Sequence, residues 1–554
     1  MPSAPHLLEV ENLGIEFSRA GKTLRTLQGV GFHVDRGETL AVLGESGSGK
    51  SLTASAVMGL LDTPPARIVS GRILLEGRDL LQVSPEERRI INGTKLAMIF
   101  QDPLASLNPV MTIGRQIAES FVVHGVKSAE ALERTRDLLG KVGIEDVERR
   151  LNDYPHQFSG GQRQRIMIAM AMALRPDLLI ADEPTSALDV TVQAQILNLL
   201  KDLQRESGMA MILITHDLGV VSEFADRVLI MKDGELVESG DVRDVFARPG
   251  HPYTRQLLAA VPGQGDIPAP REAGQEAALL VAQNLHKSYA VGRNPFGGKL
   301  GVRAHALRGA SIRVDRQETV AVVGESGSGK STLARLLLGL ETADDGTATF
   351  LGNMLPLTGG ARPAEIRRRL QVVFQDPTAS LNPRMRVVDI IAEPWAIHPQ
   401  VVPPEQYRAR AIELLEQVGL KPEHADRRPH EFSGGQRQRI AIARALALKP
   451  DLIICDEAVS ALDVSVQAQI IDVLKSLQRQ YGLSYLFIAH NLALVRDFAD
   501  RVVVMYRGEV VETGTVQQIF GSPGHPYTQR LLAATPELAT QASPTKSPPQ
   551  YFNQ

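Results

Sequence analysis

The sequence contains two copies of the same set of motifs, in the same order. The octapeptide Gly-Glu-Ser-Gly-Ser-Gly-Lys-Ser occupies residues 44–51 and recurs letter for letter at residues 324–331, 280 positions further along. The nonapeptide at residues 158–166 recurs at 432–440, and later motifs keep that offset of 274 positions. Solenoid and propeller repeats span only about 20–50 residues, so a period this long excludes them. The chain is therefore predicted to fold twice into the same kind of domain.

The domain boundaries follow from the repeat and from local composition. A chain of 554 residues has room for several domains of ~100–200 residues each. Residues 263–277 are polar, contain glycine and proline, and show no periodicity, which is typical of a linker between a first domain at 1–262 and a second at 278–538. Residues 539–554 are predicted to be a disordered tail. The second domain also has a longer early loop at 291–302, which is interpreted as a surface insertion or a partner contact.

Composition excludes several classes of protein. The balance of 60 basic and 63 acidic side chains argues against a protein that coats nucleic acid. The single cysteine, Cys455, excludes an internal disulfide framework, a multi-cysteine zinc site and a cysteine-held iron–sulfur cluster, and it fits a reducing compartment. No stretch approaches the ~18–20 apolar residues that span a bilayer, and the amino terminus does not read as a signal peptide. We expect a chain that is soluble or peripheral on the membrane domain of another subunit.

Hydrophobic periodicity predicts an α/β fold for each half. A short apolar run at residues 38–43 precedes a glycine-rich turn and a helical pattern. Apolar runs that end in an acid at residues 177–182 and 451–456 are typical of buried parallel strands. Residues 109–154 and 383–429 alternate charged and apolar side chains at helical spacing. The prediction is two tandem domains, each a mixed sheet core with a helical subdomain.

A glycine-rich loop between a strand and a helix carries the clearest chemistry. Gly44, Gly47 and Gly49 allow backbone N–H groups to turn inward around phosphate oxygens, and the following helix adds positive potential. Lys50 can reach the β- and γ-phosphates of a nucleotide, and the hydroxyl of Ser51 can bind Mg²⁺. The corresponding residues of the second half are Gly324, Gly327, Gly329, Lys330 and Ser331. A mere glycine turn before a helix is the alternative, but two colinear copies favour two phosphate-binding loops.

Acidic and histidine side chains end other predicted strands. Asp182 and Asp456 close apolar runs and are followed by Glu183 and Glu457. An acid at the carboxyl end of a parallel strand faces the ligand crevice, where Mg²⁺ would lie, and the adjacent glutamate can polarise an attacking water. His216 and His490 end a further strand. The alternatives are an acid that caps the next element and a histidine that is satisfied in the core.

A second anion-binding arrangement occurs in each half. Ser159, Gly160, Gly161 and Gln162 begin a helix rich in arginine and methionine, and Ser433, Gly434, Gly435 and Gln436 repeat the pattern. Backbone N–H groups at a helix N-terminus bind anions, although the serine could also be a simple N-cap. Since each domain already has one phosphate loop, the natural ligand of this second arrangement is a nucleotide held by the other domain.

Together these motifs resemble the ATP-binding-cassette (ABC) ATPases over nearly all of both halves. The resemblance identifies Walker A loops (44–51, 324–331), Walker B strands with a catalytic glutamate (178–183, 452–457) and family signatures (158–162, 432–436). It also identifies Q-loop glutamines, D-loop aspartates and switch histidines, which are Gln101 and Gln375, Asp189 and Asp463, and His216 and His490. Phe17 and Tyr289 fall where the family stacks an aromatic ring on adenine.

The resemblance implies that the two halves pair head to tail around two ATP molecules. Glu183 with His216 and Gln101, and Glu457 with His490 and Gln375, would then be the catalytic sets. The metal ligands would be Ser51, Gln101 and Asp182 in one site and Ser331, Gln375 and Asp456 in the other. The second half replaces Pro-Thr by Ala-Val after Glu457 and Asp by Asn after His490. The key side chains remain, so two competent sites are expected, and these replacements could make them unequal.

A further repeated motif narrows the family. Gly-His-Pro-Tyr-Thr follows each predicted cassette, at 250–254 and 524–528, and is predicted to be a proline turn leading into a short packed helix. By resemblance the motif is characteristic of ATPases of peptide and nickel importers, in some of which two ATPase subunits are fused. This implies two membrane permeases, an extracytoplasmic binding protein, and a place on the cytoplasmic face of the bacterial inner membrane. Dipeptides, oligopeptides, glutathione and nickel chelates all remain open as the solute.

The rival function is a soluble twin-cassette ATPase that acts on ribosomes or nucleic acid. Such translation factors carry a long, highly charged helical linker, and DNA-repair relatives carry zinc cysteines or long coiled coils. Residues 263–277 are neither basic nor helical in pattern, and the chain has one cysteine. The sequence therefore favours the importer and predicts no nucleic-acid partner.

Overall fold

The computed structural model describes residues 6–19, 22–186, 188–263, 265, 278–290, 303–359, 362–460 and 462–535. These residues form two compact units, of which the first comprises residues up to 188 together with 192–259 and the second comprises 189–191 together with 260–535. Most of the predicted linker, the loop at 291–302 and the tail at 539–554 lie outside the described residues. The predictions for these three segments, and the proposed domain limits, stay predictions.

Within its described residues, the first half contains ten strands and eleven α-helices. The strands are β1 (Leu8–Arg19), β2 (Lys22–Val34), β3 (Thr39–Leu43), β4 (Ala66–Leu75), β5 (Arg78–Asp79), β6 (Leu96–Ile99), β7 (Leu178–Asp182), β8 (Ala210–Ile214), β9 (Arg227–Lys232) and β10 (Glu235–Asp241), among the residues described. The helices described are α1 (Lys50–Met58), α2 (Pro85–Thr94), α3 (Pro103–Ser106), α4 (Ile113–Val122), α5 (Ser128–Lys141), α6 (Val147–Arg150), α7 (Gly160–Met172), α8 (Val190–Ser207), α9 (Leu218–Phe224), α10 (Val242–Ala247) and α11 (Pro252–Ala259).

The second half repeats this order of elements in the part of the chain that the structure describes. Its strands are β11 (Leu280–Ala290), β12 (Arg303–Val314), β13 (Thr319–Val323), β14 (Asp345–Phe350), β15 (Asn353–Met354), β16 (Leu370–Val373), β17 (Leu452–Asp456), β18 (Ser484–Ile488), β19 (Arg501–Tyr506) and β20 (Glu509–Thr515). Its helices are α12 (Lys330–Leu338), α13 (Ala364–Arg369), α14 (Pro377–Ser380), α15 (Val387–Ile397), α16 (Tyr407–Gln417), α17 (Gly434–Leu446), α18 (Val464–Tyr481), α19 (Leu492–Phe498), α20 (Val516–Gly521) and α21 (Pro526–Ala533).

Each half contains one mostly parallel sheet and one antiparallel sheet. In the first half the larger sheet has the order β10-β9-β3-β8-β7-β6, in which only the β9–β10 pair is antiparallel. The smaller sheet has the order β2-β1-β4-β5 and is antiparallel throughout. The second half has the same two sheets, with the orders β16-β17-β18-β13-β19-β20 and β12-β11-β14-β15. The predicted α/β class with mixed sheets is confirmed.

Alternate residues of the central strands enter two different cores. Strands β3, β7 and β8 are buried along their whole length, as expected for parallel strands that are covered on both faces. Leu178 and Ile180 of β7 pack with the antiparallel sheet and α1, whereas Leu179 and Ala181 pack with helices α4, α5, α7 and α8. Because successive strand side chains point to opposite faces, one apolar run holds both layers on the sheet.

The stretches that were predicted to be helical insertions are helical. Residues 109–154 contain α4, α5 and α6, and residues 383–429 contain α15 and α16 together with 3₁₀ turns at Pro404–Gln406 and Pro422–Asp426. Cys455 in β17 is fully buried in the apolar core of this helical layer, where burial raises the pKa of its thiol to about 12. Among the residues that the structure describes, no helix combines the length and the apolar character needed to cross a membrane.

Candidate nucleotide-binding sites

The predicted site residues of the first half converge on one edge of the larger sheet. The glycine loop follows β3, Asp182 ends β7, His216 lies just after β8, and Gln101 lies just after β6. These four strands are parallel neighbours in the sheet, so their carboxyl ends lie side by side. The topology, rather than nearness in sequence, therefore brings the motifs together at the edge where α/β sheets bind ligands.

Two glycines of the loop occupy positions that no larger residue could take. A Cβ on Gly44 would lie 2.3 Å from the backbone oxygen of Met231, which a side-chain movement cannot relieve. Gly49 has a φ of 102°, in the left-handed region, and a Cβ there would lie 2.4 Å from a methyl carbon of Leu27. The loop is thus pressed against β9 on one side and β2 on the other, which holds it over the N-terminus of α1.

The loop lysine is buried and folded back onto the loop. Lys50 donates hydrogen bonds to the backbone oxygens of Gly44 and Glu45, at 2.7 and 2.9 Å from its Nζ. Backbone atoms of the loop therefore hold the ammonium group at the place where phosphate oxygens are expected. Nearby, the hydroxyl of Ser48 is buried and has no hydrogen-bond partner within the described part of the chain. A cradle of glycines, a buried ammonium and an unpaired hydroxyl suits a phosphate group.

Ser51 and Asp182 are adjacent, as a shared cation would require. The Ser51 hydroxyl donates a hydrogen bond to Oδ1 of Asp182 at 3.1 Å. Asp182 is buried, and burial raises the pKa of its carboxyl group, with help from the charge of Glu183 and against the hydrogen bond from Ser51 and the charge of Lys50. A hydroxyl and a buried carboxylate are hard oxygen ligands of the kind that Mg²⁺ prefers, so the residues present fit this ion.

Glu183 adopts a backbone conformation that non-glycine residues rarely take. Its φ is 46°, directly after the end of β7, and its N–H donates a hydrogen bond to the backbone oxygen of Ile214 at 2.9 Å. Left-handed non-glycine residues are uncommon and persist where the surrounding structure holds them. This turn leads the chain out of the sheet and directs the carboxylate across the strand ends toward Gln101, Ser186 and His216.

Three side chains contact the carboxylate of Glu183. Gln101 and Ser186 donate hydrogen bonds to its Oε2 at 2.9 and 2.6 Å, and Nδ1 of His216 lies 3.4 Å from its Oε1. Burial raises the pKa of Glu183, but the hydrogen bond and charge of His216, the Ser186 hydroxyl and the charge of Lys50 outweigh it and lower the pKa to about 2. Glu183 is therefore ionised throughout the physiological pH range.

The second half repeats the lysine and serine contacts almost unchanged. Lys330 donates to the backbone oxygens of Gly324 and Glu325 at 2.8 and 2.9 Å, and Ser331 donates to Oδ1 of Asp456 at 3.2 Å. Glu457 has a φ of 50°, close to that of its counterpart. Burial lowers the pKa of Lys330, although the carboxylates around it oppose this change. Burial raises the pKa of Asp456, and the charge of Glu457 adds to the effect.

The surroundings of the second glutamate differ from those of the first. His490 contacts Oε1 of Glu457 through Nε2, whereas His216 uses Nδ1, so the two imidazole rings are turned differently. Ser460 donates to the backbone oxygen of Glu457 instead of to its carboxylate. Burial raises the pKa of Glu457, but the hydrogen bond and charge of His490 and the charge of Lys330 lower it overall. Within the described residues, Gln375 is exposed and makes no hydrogen bond to Glu457.

The serine of each predicted signature caps a helix. Ser159 accepts a hydrogen bond from the N–H of Gln162, whose side chain accepts one from the N–H of Ser159, and Ser433 and Gln436 repeat this capping box. The second glycine of each pair is confined, since a Cβ on Gly161 would lie 2.5 Å from Val192 and one on Gly435 would lie 2.3 Å from Val466. Gly160 and Gly434 lie at the exposed first position of α7 and α17.

The remaining predicted residues lie at the borders of these elements. Phe17 is half-buried on β1 and packs against the core beneath the loop, while Tyr289 on β11 is partly exposed and donates its hydroxyl to Glu341. Asp189 is buried directly before α8, and Asp463 is the N-cap residue of α18. Ser186 contacts Glu183 and is not among the predicted site residues, although it begins a pentapeptide that occurs at residues 186–190 and again at 460–464.

A phosphate loop with a buried lysine, beside strand-end carboxylates on a mostly parallel sheet, defines a P-loop nucleoside triphosphatase. Residues 27–186 and 307–460 match the family described as "ABC transporter", and residues 237–280 and 511–551 match the region described as "Oligopeptide/dipeptide transporter, C-terminal region". The chain belongs to the ABC transporter family. It binds and hydrolyses ATP, and the predicted relationship to peptide-class transport ATPases is confirmed.

Relatives match along the whole chain. The glutathione import ATP-binding protein GsiA of Shigella boydii serotype 4 (strain Sb227) is 46% identical over 576 aligned positions, which cover 99% of this chain and 92% of that protein. The protein of the same name from Escherichia coli (strain K12) matches with the same identity and coverage. A solved structure described as cbiO1 from Clostridium perfringens, part of the ABC transporter complex cbiONQ, is 30% identical, with a TM-score of 0.39 and coverage of 44% of this chain and 91% of that chain.

Proposed function

We propose that this chain is the ATP-hydrolysing subunit of an importer for glutathione or a related small peptide. The observation that carries the proposal is the 46% identity to glutathione import ATP-binding proteins along 99% of the chain. The match covers 92% of those proteins, and this chain contains the peptide-transporter region after each cassette. The repeated Gly-His-Pro-Tyr-Thr motif indicates a class of solutes that includes glutathione. Dipeptides and other small solutes belong to the same class.

Each half would bind one ATP at its glycine loop. Lys50 and Lys330 would turn from backbone oxygens to phosphate oxygens, which replaces a neutral partner by a charged one at the same buried ammonium. Ser51 with Asp182, and Ser331 with Asp456, would hold Mg²⁺, with Gln101 and Gln375 as additional ligands. When bound, Mg²⁺ neutralises the charge of the phosphate oxygens. Phe17 and Tyr289 would lie against the adenine ring.

Glu183 and Glu457 would orient and polarise the attacking water. Both carboxyl groups have lowered pKa values, so each is charged and able to accept a hydrogen bond from water at neutral pH. His216 and His490 hold these carboxylates in place and keep their charge. Most of the catalysis would then be positioning and charge stabilisation, as is typical of phosphoryl transfer. Because every key side chain is present twice, we propose two competent sites.

Pairing of the two halves within one chain would complete both sites. Ser159–Gln162 would face the nucleotide held by the second half, and Ser433–Gln436 would face the nucleotide held by the first, with Asp189 and Asp463 beside them. The support is chemical, because each segment presents the N-terminus of a 13-residue helix, where backbone N–H groups attract anions. ATP binding would bring the halves together and hydrolysis would release them.

Two integral-membrane permeases would couple this cycle to transport, with an extracytoplasmic binding protein that delivers the solute. The proposed location is the cytoplasmic face of the bacterial inner membrane. The test is co-expression with candidate permease subunits from the same genome, followed by ATPase assays in proteoliposomes with a candidate glutathione-binding protein. Stimulation of turnover by glutathione-loaded binding protein supports the proposal. Turnover that is indifferent to permeases and binding protein, or co-purification with ribosomes, contradicts it.

A further inference from the structure

The Gly-His-Pro-Tyr-Thr motif does more than begin a packed helix. In the first half the hydroxyl of Tyr253 accepts a hydrogen bond from the backbone N–H of Glu45, the second residue of the phosphate loop, at 3.2 Å. In the second half the hydroxyl of Tyr527 accepts the equivalent bond from the N–H of Glu325 at 2.8 Å. Both tyrosines are buried, with 4% and 2% of their surface exposed. The same contact therefore occurs in both halves.

The residue that each tyrosine holds is a junction of the loop. The backbone oxygen of Glu45 accepts hydrogen bonds from Nζ of Lys50 at 2.9 Å and from the N–H of Ser48 at 3.1 Å. The backbone oxygen of Glu325 accepts from Lys330 and from the N–H of Ser328 at the same two distances. The N–H that each tyrosine holds shares its peptide group with the backbone oxygen of the preceding glycine, which also accepts a hydrogen bond from the lysine, at 2.7 Å in the first half and 2.8 Å in the second. A change in the tilt of this peptide group would therefore move the lysine that is expected to bind phosphate.

The other residues of the motif hold the tyrosine in place. The carboxylate of Glu238 on β10 accepts hydrogen bonds from the N–H groups of Gly250 and His251 at 2.7 and 3.1 Å, and from the hydroxyl of Thr254. The His251 ring accepts a hydrogen bond from the N–H of Tyr253 at 3.2 Å, and proline occupies the first position of α11. Four of the five residues of the motif thus make a defined hydrogen bond, and the proline begins the helix.

The second half repeats the glutamate and histidine contacts, but within the described residues the hydroxyl of Thr528 has no hydrogen-bond partner, and the ring contact differs. Glu512 on β20 accepts from the N–H groups of Gly524 and His525 at 2.7 and 3.1 Å, and His525 caps α21 by accepting from the N–H of Tyr527. The ring of Tyr527 stacks on Tyr506 with centroids 4.2 Å apart. In the first half Lys232 takes the place of that stacking partner and lies 4.9 Å from the centre of the Tyr253 ring.

We propose that Tyr253 and Tyr527 are positioning residues for ATP binding, which fix the start of each phosphate loop through the N–H of Glu45 and Glu325. The acidic residue on the preceding strand, Glu238 or Glu512, sets the position of the tyrosine. The C-terminal region after each cassette is thereby connected to the nucleotide site of its own half. The proposal concerns the ATPase activity that the family establishes and does not depend on the identity of the solute or of the permeases.

The test compares Tyr253→Phe, Tyr527→Phe and the double variant in the full chain. Phenylalanine keeps the buried ring and removes the hydroxyl that accepts the hydrogen bond from the loop. The loss of one buried neutral hydrogen bond per site is expected to raise the KM and the Kd for MgATP by about 2- to 10-fold, with kcat at saturating MgATP changed by less than about 2-fold. Tyr506→Phe is the matched control, because it makes the same chemical change on the ring that stacks against Tyr527 and leaves the loop contact intact.

The variant Glu238→Gln tests the proposal independently if the Tyr→Phe variants do not fold. Glu238→Gln weakens the attachment of the motif without touching the tyrosine, and it should raise the KM for MgATP in the same direction by a smaller factor. The proposal is overturned if the double Tyr→Phe variant, or Glu238→Gln, lowers the Tm but leaves the KM and Kd for MgATP unchanged. That result would show that the motif contributes only to packing. Lys50→Met and Lys330→Met must weaken ATP binding in the same assay, since unchanged binding there would instead refute the assignment of the sites.

Discussion

Replacing Glu183 and Glu457 together by glutamine should abolish ATP hydrolysis and leave ATP binding intact. The structure supports glutamine as a clean substitution. Oε2 of Glu183 accepts both from Gln101 and from Ser186, so an amide oxygen at that position keeps both hydrogen bonds. The amide nitrogen would then face Nδ1 of His216, which lies 3.4 Å from Oε1. The substitution therefore removes the charge and the capacity to polarise water, keeps the two hydrogen bonds at Oε2 and gives up the one from His216.

The size of the effect follows from the role of the carboxylate. Removal of a positioned general base costs roughly 10²–10⁴-fold in rate, which corresponds to about 3–5 kcal/mol of transition-state stabilisation. Both carboxylates are largely buried, with 16% and 11% of their side-chain surface exposed, so bulk water does not replace them easily. We expect the double variant to lose at least about 100-fold in kcat while the Kd for MgATP changes by less than about 3-fold.

Phosphate release at saturating MgATP, together with equilibrium nucleotide binding, measures both quantities on the same preparation. The single variants separate the two sites, because independent sites leave about half of the turnover in each single variant and coupled sites leave much less. A double variant that retains more than about a tenth of the wild-type kcat would refute the assignment of these glutamates. Loss of binding as well as turnover would refute the argument that glutamine preserves the local hydrogen bonds.

Three further predictions concern the same sites. Lys50→Met and Lys330→Met should each weaken ATP binding at its own site by at least about 10-fold, and two unchanged sites in a binding titration would speak against this assignment. His216→Gln with His490→Gln should move the acid limb of the residual kcat–pH profile to higher pH. His216 helps to hold the pKa of Glu183 at about 2, and burial raises this pKa once the histidine is gone. The active carboxylate therefore becomes protonated at a higher pH. An acid limb that stays at the wild-type pH would be inconsistent with this contact. Ser51→Ala with Ser331→Ala should raise the Mg²⁺ concentration for half-maximal turnover, and an unchanged Mg²⁺ titration would exclude these hydroxyls as ligands.

Much of the fold could be predicted because the decisive signals are local. The buried strand β7 is a continuous apolar run that ends in an acid, and Gly44 to Ser51 is a contiguous phosphate loop. The helical layer was visible as alternating charge and apolar character, and it is present as α4, α5 and α15. These elements depend on neighbouring residues in the chain, so one sequence is sufficient to recognise them.

The details of the site could not be predicted because they depend on packing between distant segments. Glu183 and Glu457 adopt a left-handed backbone conformation where the chain leaves the sheet in each half. Glutamate has no preference for this conformation, so the sequence does not predict it. The two halves have the same key residues but differ in two contacts. His216 and His490 approach their glutamates through different ring nitrogens. Gln101 donates a hydrogen bond to Glu183, whereas in the described part of the chain Gln375 makes none to Glu457.

The sequence by itself determined that the chain contains two copies of one ATPase cassette, which residue types are expected to bind phosphate and Mg²⁺, and that the chain resembles the ATPases of peptide-class importers. Those conclusions rest on motifs whose chemistry lies within a few consecutive residues. Only the tertiary structure decided that Glu183 is held by three side chains, and that Tyr253 reaches Glu45 across more than two hundred positions of sequence. The physical reason is that parallel strands bring their carboxyl ends to one edge, where hydrogen bonds form between residues that no sequence pattern connects.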